Sequence, residues 1–160
     1  MTKPKIAVCT TFPKEHFEIC AAEMIASFHA HWPEDIKMYV QLDPAPDEES
    51  KALWNACIDA ASEERLFISN AFDDQQIKFI ERWQSNKPKS YLWDVVKFSH
   101  KVFTVEKCAD ALKDEFDYLI WLDADVVTKS KITYEWLQEV LPQEDQLISY
   151  LDRPGFNPGS

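Results

Sequence analysis

Short apolar runs alternate along the chain with amphipathic stretches of helical period, and this alternation predicts the elements. Residues 5–10 (KIAVCT) read as a buried strand, and Pro13 suits the first turn of a helix running to about His31. Residues 36–42 (IKMYVQL) form a second strand, closed by the turn-like DPAPDEES, whose acids favour the start of a helix over about 48–61. A third strand at 65–69 (RLFIS) leads to a helix at 73–84, which the Lys87-Pro88 break ends. The longest helical pattern covers 92–112. The most apolar strand candidate, 116–127 (FDYLIWLDADVV), is followed by a short helix at 134–140 and a last strand at 146–151 (QLISYL). Strands alternating with helices predict an α/β fold, a mostly parallel sheet with helices on both faces. No internal repeat, low-complexity tract or interior linker interrupts it.

Composition removes several functional classes. A chain of 160 residues with 46% hydrophobic and 13% aromatic residues can bury a real core and is too apolar to stay unfolded. Twenty-eight Asp and Glu against 17 Lys and Arg leave a net charge of -11, which argues against binding a nucleic-acid polymer or an anionic membrane. There are two Gly, at 155 and 159, where average usage of roughly 7% would give about eleven. Residues 1–154 therefore hold no glycine-rich phosphate loop, and any bound phosphate needs another device. No run of 18 apolar residues exists and the first residues carry no signal-peptide pattern, so no membrane span is expected. Cys9, Cys20, Cys57 and Cys108 have no CxxC spacing and read as reduced thiols of a cytoplasmic protein.

Candidate chemistry concentrates at Asp123-Ala124-Asp125, directly after the run YLIWL. If the segment is extended, two carboxylates two residues apart project together from the end of a central strand, where open α/β sheets bind ligands. Such neighbours repel unless a cation or good donors compensate, and Mg2+ or Mn2+ accepts one or two carboxylates plus substrate phosphate oxygens. The competing reading is that Asp merely ends strands and caps turns. On the helix at 92–112, Asp94, Lys97 and Lys101 share one face, and two lysines four apart make sense if both meet an anion. A solvated face with a weak Asp94–Lys97 ion pair is the alternative.

Thr10, Thr11 and Phe12 follow the first strand, where hydroxyls and amides could meet a ribose and Phe12 a base. They serve equally well as a lead into the helix at Pro13. Asp43 ends the second strand, and its position before Pro44 favours turn chemistry over a base contact. His29 and His31 are two apart on a helix and do not face together, while His16 and His100 read as surface or core residues. The tryptophans, including Trp93 and Trp121 near the proposed site, read as packing.

The segments KIAVCTTF, YLWDVVKFSHKVF, FDYLIWLDADVV and ISYLDRPG together resemble the donor half of a GT-A glycosyltransferase of phage or bacterial type. The resemblance implies a GT-A, Rossmann-like fold in which residues 1–153 bind a UDP- or GDP-type nucleotide sugar and residues 154–160 form a tail. It implies metal-binding roles for Asp123 and Asp125, with Asp125 the more direct ligand of Mn2+ or Mg2+. It implies donor contacts from Thr10, Thr11, Phe12, Asp43, Asp94, Lys97, Lys101 and Asp123. A GT-A domain normally continues into an acceptor-binding half with the catalytic base, so the resemblance also implies a truncated C-terminus, or completion by a homo-oligomer or another partner. The acceptor and the base are left unassigned. A non-catalytic nucleotide-sugar-binding or scaffold module is the alternative from another class. A haloacid-dehalogenase-type phosphatase fits poorly, because its DxD belongs to the first strand and only 35 residues follow Asp125.

Overall fold

The computed structural model describes residues 3–42, 47–60, 64–85 and 94–151. Its centre is a four-stranded, all-parallel sheet in the order β3-β2-β1-β4. The strands are β1 (Ile6–Phe12), β2 (Lys37–Leu42), β3 (Leu66–Ser69) and β4 (Tyr118–Trp121). Among the described residues they alternate with α1 (Ala22–His31), α2 (Asp47–Ala60), α3 (Asp74–Trp83), α4 (Val95–Leu112) and α5 (Tyr134–Val140). The expected α/β class is present, with a Rossmann-like sheet.

Both faces of the sheet are covered, and the strand residues alternate between them. Ile6, Val8 and Phe12 of β1 join Met38, Val40 and Leu42 of β2 in the larger core, against α1, α2 and α5. Ala7, Cys9 and Tyr39 point the other way, to Cys108 and Leu112 of α4. Two buried faces explain why β1 reads as a continuous apolar run instead of an alternating one. From β1 the chain steps outward through β2 to β3, then crosses to the opposite side of β1 to place β4. The pair β1–β4 is therefore the point where the winding reverses.

Several boundaries differ from the sequence expectation. The segment after Pro13 is not one α-helix: a turn leads into a π-helical stretch, Phe17–Ala21, before α1 begins. Strand β4 spans four residues, and the ladder ends where the Leu122 N–H donates to Cys9 O at 3.0 Å. Residues 123–126 then form a turn closed by the Val126 N–H on Asp123 O at 3.0 Å, so the expected extended DxD is corrected. Residues 146–151 form no strand, because a strand exists only by pairing and this segment has no ladder partner among the described residues. Its Leu147 is 98% exposed. Helix α4 starts at Val95, capped by Asp94; the expected start at residues 92–93 lies outside the described residues.

Candidate functional site

A cavity of about 910 Å3 opens at the carboxyl ends of β1 and β4. Thr11 and Phe12 line it from β1 and Pro13 just beyond it, Asp123, Ala124 and Asp125 from the turn after β4, and Lys97 and Lys101 from α4 with its cap Asp94. This is the reversal point of the sheet, where α1 and α4 leave on opposite faces and a crevice must remain between them. Seven of the nine residues named from the sequence as metal or donor contacts lie in its wall, Asp123 and Asp125 among them on one turn. Thr10 does not: it lies within β1, is fully buried, and its hydroxyl has no hydrogen-bond partner among the described residues. Asp43 lies outside the described residues.

The acidic turn is held from below. Ala124 and Leu122 pack against the larger core, so the small residue between the two acids points inward while both acids line the cavity. Beyond the turn, Thr128 N–H donates to Ser27 Oγ at 3.0 Å, Trp32 Nε1 to Thr128 Oγ1 at 3.0 Å, and Ile132 N–H to His31 O at 2.8 Å. Three bonds to α1 and the residue that ends it tie the returning chain to one rigid element. The expected same-side projection is thus achieved by a pinned turn rather than by strand pleating.

Asp123 is the most engaged of the acids. Lys101 Nζ forms an ion pair with its Oδ1, and Trp121 Nε1 donates to the same oxygen at 2.9 Å. Lys101 Nζ also stands 5.3 Å from the centre of the Trp121 ring. Trp121, expected to act only in packing, therefore orients an acid of the site. Asp94 Oδ1 accepts from the Lys97 backbone N–H at 2.9 Å and caps α4. Thr11 Oγ1 donates to Gln41 O at 2.8 Å, tying the end of β1 to β2. The Phe12 ring is buried and sits 6.2 Å from that of Phe17, so packing occupies the ring expected to stack on a base.

The sequence pattern does not single out the remaining wall: His16, Ile19, Cys20, Val96, Phe98 and His100. Ile19 and Cys20 belong to the π-helical stretch and His16 is the residue that precedes it, and Ile19 is 75% exposed. Single π-helical turns recur at functional sites. His100 could have been found from its place beside Lys101 and three residues after Lys97, which puts it near the same helix face; its ring lies 5.4 Å from Phe72. Burial, and secondarily the charge of Asp125, raise the Cys20 thiol above its ordinary pKa, so it is neutral at pH 7.

Chemically, the wall sets the carboxylates of Asp123 and Asp125, the capping carboxylate of Asp94 and two ammonium groups against a partly apolar surface. Mg2+ and Mn2+ suit such a donor set when substrate oxygens and water complete the shell. Among the described residues no three His, Cys, Asp or Glu side chains gather to hold an ion by themselves, so such an ion would depend on its ligand. All four cysteines are free thiols, and no described helix is long and apolar enough to cross a membrane. No family model matches the chain, and no curated protein matches it.

Proposed function

We propose that the chain binds a nucleoside-diphosphate sugar through a divalent cation, as the donor-binding part of a GT-A-type glycosyltransferase. The observation that carries this reading is the meeting of Asp123, Asp125, Lys97 and Lys101 in one cavity at the reversal point of a parallel sheet. Asp125, exposed on the turn, is the direct metal ligand, and Asp123 is the second acid, reaching the ion or the ribose. Lys97 and Lys101 meet the diphosphate in place of the absent glycine loop. When bound, the ion stabilises the negative charge of the departing diphosphate. The protein's own part is to hold the donor against the pinned turn, with Ile19 and Phe98 among the apolar residues of the cavity wall.

A thermal-shift panel of UDP- and GDP-sugars tests the proposal. A 100-fold excess over the dissociation constant stabilises the native state by about 2.7 kcal/mol, which in a chain of this size is a rise of several degrees. The rise is expected with Mn2+ or Mg2+, absent with EDTA, and absent in Asp125→Asn. No shift with any donor in the presence of metal would overturn it. Binding without sugar hydrolysis or transfer would instead assign the chain as a binding module.

A further inference from the structure

The lysine offered as a diphosphate ligand and the acid offered as a metal ligand are already each other's partners. Lys101 and the Trp121 indole N–H converge on one oxygen of Asp123. The ammonium thus supplies, within the protein, the positive charge that this carboxylate would otherwise take from a metal ion. The pair is partly exposed, with 41% and 36% of the two side chains accessible, so the exchange is affordable: pairs of this kind are worth no more than about fivefold in an equilibrium constant. Two cations cannot share one carboxylate oxygen without strong repulsion. A divalent ion on either oxygen of this carboxylate stands close enough to the ammonium to repel it, so whatever brings the ion to Asp123 weakens the Lys101 contact, and whatever attracts Lys101 elsewhere favours the ion.

We infer that Lys101 is an exchangeable counter-ion that couples metal binding to diphosphate binding, resting on Asp123 in the empty site and on the diphosphate in the loaded one. This rests on the proposed function. Its four-carbon stem is flexible and its ammonium can turn within the cavity, while Lys97, one helical turn earlier, lines the same wall. The ion alone has to displace a lysine, and the diphosphate alone has to draw that lysine away from a carboxylate. Together each removes the other's obstacle. Linkage makes the effect reciprocal: the factor by which the ion strengthens diphosphate binding equals the factor by which diphosphate strengthens ion binding.

The test uses the full chain, Mn2+ followed by electron paramagnetic resonance, and inorganic pyrophosphate followed by calorimetry. In the wild type, each probe is expected to strengthen the other by about tenfold or more. Lys101→Met is expected to bind Mn2+ alone up to about fivefold more tightly, because the competitor is gone, and to bind pyrophosphate in the presence of Mn2+ at least about tenfold more weakly. Lys101→Arg, which keeps the charge, is expected to retain the competition with Mn2+, and circular dichroism checks that both variants are folded. If Lys101→Met binds Mn2+ alone no more tightly than the wild type, the counter-ion exchange is wrong while the metal site stands. If neither protein binds Mn2+, with or without pyrophosphate, the proposed function falls and the exchange with it.

Discussion

Arg65 shows how much one residue can do outside the site. Its buried guanidinium donates to three backbone carbonyls, through Nη1 to His29 at 3.0 Å, Nη2 to Pro33 at 2.9 Å, and Nη2 to Ile36 at 3.2 Å. It also lies 4.6 Å over the Phe28 ring. Burial lowers its pKa, yet an arginine stays charged at neutral pH, so the fan of donors is permanent. Arg65→Ala leaves these carbonyls and the cavity around them unfilled, and is expected to cost about 3 kcal/mol in urea unfolding; a loss under about 1 kcal/mol would contradict this account. Lysine, with a single ammonium, is expected to recover less than half. Asp73 is a different case, an exposed cap whose carboxylate accepts from the Gln76 N–H at 2.8 Å. That bond, aided by Lys107, holds its carboxyl below the usual carboxylate range. A lowered folded value means the cap contributes fully above the unfolded pKa of about 4 and fades as pH falls through the folded one. Asp73→Ala is therefore expected to cost about 1 kcal/mol at pH 7 and less as the pH falls into the acid range, read from denaturation midpoints across the pH series. The cap was legible, since Asp before an amphipathic run is a helix start; the Arg65 fan was not, because its partners lie far apart in sequence.

At the scale of elements, α4 carries two opposed faces. Phe103, Cys108 and Leu112 are buried, while Val95, Phe98, Val102 and Val105 form an exposed stripe at spacings of three and four. Periodicity marks all of these as apolar and cannot say which face the sheet takes. Neighbouring substitutions separate them: Phe103→Ala is expected to cost about 3–5 kcal/mol, and Val102→Glu, at a position 66% exposed, less than about 0.5 kcal/mol. Comparable losses in urea unfolding would mean that the stripe is covered in solution. Helices with clear ends were readable: α5 runs over Tyr134–Val140, as the pattern predicts, with Thr133 Oγ1 accepting from Trp136 N–H. The failures share one cause. A π-helical stretch, a four-residue β4 and the unpaired 146–151 segment depend on neighbours across the fold, which local propensity does not contain. Trp54, Trp83 and Trp136, read as core, are each about one-third exposed for the same reason.

For the whole molecule, the site follows from strand order more than from any motif. A DxD after an apolar strand becomes meaningful because β4 lies beside β1, across the reversal from β2 and β3, and no local pattern predicts that order. Residues 1–154 hold no glycine, and a pinned turn and a lysine-bearing helix line the cavity at this reversal point. The same site sits in a chain of net charge -11, whose acids attract any divalent ion weakly and repel one another. Salt acts on these two effects in a predictable direction. Raising NaCl from about 0.01 to 0.15 M shortens the screening length from roughly 30 to 8 Å, which relieves the repulsion between distant acids while leaving contacts at a few ångströms largely intact. The melting temperature is expected to rise by about 2–4 °C, and diffuse Mn2+ binding to disappear while the ion held with pyrophosphate remains. A melting temperature that falls with salt would show that favourable ion pairs, such as Lys101 with Asp123 and Lys3 with Asp35, outweigh the net repulsion.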